Sequence, residues 1–260
     1  MTTARVPHRR LERALGALTL LALVVALEAA VGMGWVNAAF IPAPSVVLRR
    51  LWDLLVRGTV VAPLLQTLGL LFTGYAAGCV LAIVTGLLMG RFRAIHGLLE
   101  PLVELLRPLP KPALLPPLIL FLGLGHPMKL AIVGLGVFFP VLVNTVQGVR
   151  GTEPVLVDSA RTFGHGPGRQ LLRVVLPSAL PLIMAGMRVS LGLGLVLVVI
   201  AEMLAGTGGV GYLIIDMQRS FRVADMYAWI VILAVLGFGL NEVFVRIERR
   251  AIHWSLVSRT

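Results

Sequence analysis

Residues Leu64–Gly90, LLQTLGLLFTGYAAGCVLAIVTGLLMG, run for 27 positions without one charged side chain. A helix that crosses a bilayer needs about 20 consecutive, mostly apolar residues, so this stretch is predicted to span a membrane. The chain on either side repeats the pattern. Ala14–Val36 carries only Glu28 as a charge, and Met128–Gly148 has Lys129 at its edge and Pro140 inside. Ser178–Gly206 and Met226–Glu248 bring the clear spans to five. The composition agrees: 58% of the 260 residues are hydrophobic and 13% charged, with a mean hydropathy of +0.93. A soluble domain has about 25% charged residues. An ordinary cytosolic enzyme and a disordered chain are thereby excluded.

Leu98–Leu122 is a sixth span of a different kind. It holds Glu100, Glu104, Arg107 and Lys111, and prolines at 101, 108, 110, 112, 116 and 117. Proline removes a helix hydrogen bond and lipid cannot replace it. Two readings stay open: one broken helix, or an interfacial helix at 98–107 followed by a short span. Its ionisable groups must face protein or water.

Six spans can be oriented by their basic residues. With the N-terminus in the cytoplasm, 14 Lys and Arg fall inside and 6 outside. Both termini are therefore expected in the cytoplasm. The net charge of +11 belongs to this asymmetry. It is not a nucleic-acid footprint, because the basic residues are scattered between apolar spans. The apolar run of the first span exceeds the 7–15 residues of a signal peptide. Cys79 is the only cysteine, so no intrachain disulfide can form.

Between the first two spans, residues 45–57 read as an amphipathic helix on the outer surface. Ser45 is its expected N-cap, with Leu48, Leu51, Trp52 and Leu55 on one face. It serves either as an interfacial anchor or as a docking surface for an external partner. No internal repeat, low-complexity tract or long linker divides the chain. The expectation is a single transmembrane domain over 1–260, with a core at about 60–250 and the first span (14–36) and outer helix (45–57) peripheral.

The loop Arg150–Pro177 is too long and polar for a tight turn. Glu153-Pro154 opens a helix, with an acid at its positive end. Val155, Leu156, Ala160 and Phe163 form an apolar stripe, with Asp158 and Arg161 outside it. Gly164 is placed to end that helix in a left-handed conformation. Arg169–Val175 reads as a second short helix, stopped before Leu176-Pro177 because proline disfavours helix at the preceding residue.

Asp158-Ser159-Ala160, three residues, Gly164, nine residues, Val174, one residue, then Leu176-Pro177 resembles the EAA loop of ABC-importer permeases. That pattern has Glu at 158, Ala at 159 and Ile at 174. Further stretches resemble the nitrate, sulfonate and taurine branch: Leu106–Pro110, Phe138–Pro140 with Asn144-Thr145, Leu180-Pro181 through Arg188, Ala201-Glu202, Gly209–Tyr212, and Glu248–Arg250 with Trp254. The resemblance covers about residues 41–254. It implies an all-α type I ABC-importer permease fold: six transmembrane helices and a cytoplasmic coupling-helix loop, in a bacterial inner membrane. It also implies a homodimer, two ATP-hydrolysing subunits holding ATP and magnesium, and an external solute-binding protein. Transport would proceed by alternating access, and Glu153, Asp158, Ser159, Ala160, Arg161, Gly164, Leu176 and Pro177 would couple to the ATPase. The solute would be nitrate, a sulfonate such as taurine, or a related small compound.

The chain offers no ATP chemistry of its own by the usual motif. Lys111 and Lys129 are its only lysines, and neither sits in a phosphate-binding P-loop. The histidines are dispersed without metal-ligand spacing. Gly206, Gly208 and Gly211 spell a dinucleotide fingerprint, but they follow a membrane span instead of a strand; they read as a flexible outer loop. Gly74 and Gly78 permit close helix approach, within the chain or across a dimer. Arg107, Asn144, Arg188 and Glu202 are the candidate pathway residues, with structural pairing the competing role for Arg188 and Glu202. The rival class is a gradient-driven transporter or channel. Such folds often carry inverted repeats and paired interrupted helices, and only one broken span is found here.

Overall fold

The computed structural model describes residues 8–252. The terminal arginines Arg5 and Arg259, which contribute to the expected orientation, and Trp254 lie outside them. The described residues form helices and no strands. By its contacts the chain divides into two compact units.

The larger unit holds Val61–Leu213 and the chain from Leu233 onward. Three long helices make its core: α3 (Val61–Arg91), α6 (His126–Arg150) and α9 (Leu176–Ala205). The charge-free run of 64–90 lies within α3. Its small residues recur every fourth position, at Gly74, Gly78, Ala82, Gly86 and Gly90, which is one ridge of a helix. That ridge packs on α6. A Cβ at Gly78 would lie 2.7 Å from the Gly134 carbonyl, and one at Gly86 would lie 2.6 Å from Thr145 Cβ. The small-residue pair at 74 and 78 thus serves packing within the chain. Because 74 meets 133 and 90 meets Val149, α3 and α6 run in the same direction.

A parallel pair needs a return between its members, and the proline-rich stretch supplies it. Arg93–Leu106 forms α4. A 3₁₀ turn at Lys111–Leu114 leads into α5 (Leu115–Leu122), and the two arms meet at 94°. Both readings of this stretch, one broken helix and an interfacial helix followed by a short span, contain such a bend. Lys111 closes the corner, donating from Nζ to the carbonyls of Leu106 (2.8 Å) and Arg107 (3.2 Å). These are C-terminal carbonyls of α4, left without helix partners.

Helix α9 runs antiparallel to both neighbours. Tyr75 donates to the Met187 carbonyl (2.9 Å) and Ser190 to the Val137 carbonyl (3.1 Å). Leu71, Met128, Ile132, Val137, Leu142 and Val198 fill the space between the three. The final helix, α11 (Val223–Ala251), contributes its second half to this unit.

The smaller unit comprises the chain up to Val60 together with Ile214–Ile232. Helix α1 covers His8–Gly32 and α2 covers Pro44–Val56. Ser45 is not the N-cap of α2. Ala43 holds that position and Pro44 opens the helix. The Ser45 amide and hydroxyl instead donate to Glu28 on α1, at 3.0 and 2.7 Å. A carboxylate from another helix thus does the capping, which explains the lone acid of the first span. Leu48, Trp52 and Leu55 are exposed, as the amphipathic reading expects.

The described residues contain four helices long and apolar enough to cross a membrane, and five when the bent pair counts as one span.

Candidate functional site

The loop between α6 and α9 folds into a compact knob. Helix α7 spans Pro154–Thr162, with Glu153 at its N-cap position and Pro154 in its first turn. Gly164 has φ +77°. Its amide donates to the Arg161 carbonyl (2.9 Å), and the His165 amide to the Ala160 carbonyl (3.0 Å). This paired closure of a helix end needs a left-handed residue, which glycine supplies without a Cβ penalty. Ala160 is buried beneath α7, while Val155 (71%) and Phe163 (82%) project into solvent. Asp158 and Arg161 pair with each other at 3.6 Å and stay largely exposed. Ser159 donates back to the Val155 carbonyl at 2.7 Å. Leu156, Ala160, Phe163, His165, Val174 and Pro177 line a groove beside the helix.

The chain does not stop before Leu176-Pro177. Helix α8 (Pro167–Gln170) passes through one wide π-turn, Leu171–Val175, straight into α9. The Leu176 amide reaches the Leu171 carbonyl, five residues back. A regular helix would set the Pro177 ring against the carbonyl four residues earlier. The wider turn accommodates the proline and keeps the helix continuous.

Two of the cavities along the larger unit share a wall. The first, about 510 Å³, is lined by Arg107, Lys111, Phe139, Pro140, Asn144 and the apolar residues Leu193, Val196 and Leu197. It has two cationic side chains and no acidic one. Pro140 brings no amide hydrogen to the Gly136 carbonyl at the same wall, and Asn144 Nδ2 donates to the Pro140 carbonyl at 2.8 Å. Lys111 Nζ stands 4.1 Å from the Phe139 ring centroid, a cation–π distance. The second cavity, about 490 Å³, lies nearer the Arg150 end of α6 and includes His96, Glu100, Glu104, Gln147 and Arg150. Arg107 and Val143 belong to both walls.

Glu202 lies elsewhere, near the far end of α9. Its carboxylate accepts the Thr67 hydroxyl on α3 at 3.0 Å to each oxygen. It also accepts the Gly211 amide at 2.9 Å, in the first turn of α10 (Val210–Arg219). Thr67 Oγ1 in turn accepts the Val210 amide at 2.9 Å, which closes a ring. Glu202, Thr67 and Val210 are fully buried, and Lys129, itself buried, lies within coulombic reach of the carboxylate. The glycine cluster is therefore no flexible loop. Gly209 has φ +94°, and a Cβ there would strike the Glu202 carboxyl group; one at Gly208 would strike Gln66. The glycines are small because the turn wraps a buried carboxylate.

Residues 74–253 match the family described as binding-protein-dependent transport system inner membrane component. The chain belongs to this family. It is 33% identical over 239 residues to the putative aliphatic sulfonates transport permease protein SsuC of Bacillus subtilis, covering 91% of this chain and 86% of that protein. It is 30% identical over 224 residues to the taurine transport system permease protein TauC of Escherichia coli, covering 84% and 82%. The fold resembles a chain of the inward-facing MetNI methionine ABC transporter, with a TM-score of 0.62, 18% identity, and coverage of 81% of this chain and 98% of that one. An amino acid ABC transporter crystallised with histidines gives a TM-score of 0.60 at 17% identity. The chain is thus a multi-pass permease subunit of an ABC importer, and the gradient-driven reading falls away.

Of the residues singled out from the permease sequence, Arg107 and Asn144 meet at one cavity. Arg188 and Glu202 do not join them. Arg188 ties α9 to α11, donating from Nε to Asn241 Oδ1 at 3.2 Å, with Nη1 4.0 Å from Glu248. Lys111, Phe139 and Glu104 stand at the cavities without having been singled out as pathway residues. The Glu104–Arg107 spacing of three, one helical turn, was the available signal for one of them. Nothing in the sequence pointed to Thr67 as the partner of Glu202, 135 positions away.

Proposed function

We propose that this chain is the membrane permease of an ATP-driven importer for a small sulfonate, working as a pair of identical copies. Each copy docks one ATP- and magnesium-holding subunit, and a solute-binding protein delivers cargo from outside. The observation that carries the reading is the knob: a helix cut short at Gly164, with Val155 and Phe163 projecting beside an open groove. An exposed apolar pair on a loop between two membrane helices suits docking of another protein. Both termini face the cytoplasm, on the same side as the knob, as the basic-residue asymmetry favours.

The sulfonate assignment draws support from the names of the SsuC and TauC relatives and from the first cavity. Arg107 and Lys111 offer positive charge, and Phe139, Leu193 and Val196 offer apolar surface. ATP binding would draw two ATPase subunits together and move the knobs with them; hydrolysis would reset the cycle by shifting the balance between inward and outward states. The test is co-purification of the C-terminally tagged chain from its native host in mild detergent. A P-loop ATPase should accompany the wild type and be lost or reduced with Gly164→Val. A chain that purifies alone, where other membrane complexes survive, would overturn the reading.

A further inference from the structure

The two cavities differ in charge and share one cation. The first has Arg107 and Lys111 without an acid. The second has Glu100 and Glu104 beside His96, Arg107 and Arg150. Most of these groups are already engaged. Lys111 donates to two carbonyls and sits over Phe139. Glu100 is held by His96 Nε2 at 2.9 Å. Arg107 differs. Its side chain makes one contact, Nη1 to Glu104 Oε1 at 3.2 Å, and the two side chains are 53% and 63% exposed. An ion pair so exposed is held weakly, and four of the five guanidinium donors are left for another acceptor.

We propose that Arg107 and Glu104 form an exchange pair at the boundary between the cavities, through which the solute anion passes. The inference rests on the importer reading above. In the first cavity the oxyanion head of the solute takes the Arg107 fork, because a guanidinium meets two oxygens of a sulfonate or carboxylate at once. Phe139, Pro140, Leu193, Val196 and Leu197 receive a short apolar tail. Asn144 is spent on the Pro140 carbonyl through its amide nitrogen, so it orients the wall without supplying that donor to the anion. Lys111 adds charge without moving, since it also holds the bend between α4 and α5.

Release follows from Glu104. Its carboxylate lies one helical turn from Arg107 and competes for the same donors. When Glu104 recovers Arg107, the anion loses its partner and faces a wall with two carboxylates. Like charge then disfavours return, and the exit lies toward Arg150 and the coupling knob. Without Glu104, Arg107 would hold the anion; without Arg107, the first cavity would keep only one committed cation. The chemical class of the solute is therefore a small monoanion with a compact oxyanion head and a short tail.

The experiment uses the whole importer, with its ATPase and binding protein, in liposomes supplied with labelled ethanesulfonate. It reads ethanesulfonate taken up per ATP hydrolysed. Arg107→Ala should lower that ratio by at least about tenfold, the loss of the charge-assisted hydrogen bonding to the anion. Arg107→Lys should restore part of it. Glu104→Gln should also lower the ratio, and labelled ethanesulfonate should remain on the complex after a single turnover. Wild-type ratios in Arg107→Ala would overturn the exchange, as they would if a lipid phosphate were the only anion Arg107 meets. So would a Glu104→Gln complex that retains no label and transports normally. In both cases wild-type uptake leaves the importer reading standing. Absence of ATP-driven ethanesulfonate uptake by the wild type would instead sink the sulfonate reading, and this inference with it.

Discussion

Two glycine turns stand near opposite ends of α9, and they use glycine for different reasons. Gly164 has φ +77° and nothing within 4 Å of where a Cβ would lie. Gly209 has φ +94°, and its Cβ position is occupied by the Glu202 carboxyl group. The first turn needs a backbone conformation and leaves its surroundings open. The second needs the conformation and the space. An open turn on an exposed knob leaves room for another protein. A filled turn around a buried carboxylate fixes one helix start against its own chain. Glycine marks both in the sequence, and only the neighbours tell them apart.

The comparison can be broken first at the filled turn. Gly209→Ala should combine backbone strain with a steric clash and cost about 4 kcal/mol, read as loss of the monodisperse peak after heating in detergent. A variant that survives heating like wild type would show that the turn is not filled. Thr67→Val comes next. It keeps the side-chain shape but strips the Val210 amide of its acceptor and Glu202 of a donor, at about 2–3 kcal/mol. Thr67→Ser should recover most of that, and equal melting of the Val and Ser variants would count against the hydrogen-bonded ring.

At the open turn the expected stability effects are smaller and the functional ones larger. Gly164→Val should cost about 1–2 kcal/mol, the penalty of a left-handed conformation for a side-chain-bearing residue. The protein should reach the membrane in normal amount, yet ATP-driven uptake in cells should fall to background. Normal uptake would refute the role of the knob. Asp158→Asn should be the mildest, within about 0.5 kcal/mol in thermal melting because the pair with Arg161 is exposed. Any marked drop in ATPase co-purification would then report a contact made by Asp158 in the complex.

The helices were legible in the sequence because bilayer thickness sets a length that apolar runs must meet. Leu64–Gly90 and Met128–Gly148 fall within α3 and α6 for that reason. Gly164 was legible because a left-handed helix end has few residues that tolerate it. Three readings failed where the partner lay far along the chain or where one local rule met another. Ser45 looked like an N-cap, but Glu28 from the preceding helix took the role. Pro177 looked like a stop, but one wide turn let the helix pass. The glycines at 206–211 looked flexible because glycine permits flexibility, while Thr67 and Glu202 make them tight. The same limit holds for the cavities: Arg107 could be suspected from its place in a broken span, but no local pattern said that Asn144 would share its wall while Arg188 would not.

The π-turn at Leu171–Val175 has a mechanical consequence. Because it joins α8 to α9 without a break, Pro167–Ala205 is one rod of 39 residues. From Pro167 to Glu202 it measures about 50 Å at 1.5 Å per residue. One end carries the knob and the other carries the carboxylate that grips the start of α10. A tilt of about 10° around its middle would displace each end by about 4 Å, in opposite directions. Such a displacement needs a continuous arm, and a helix that ended at Val175 would have put a joint in place of one.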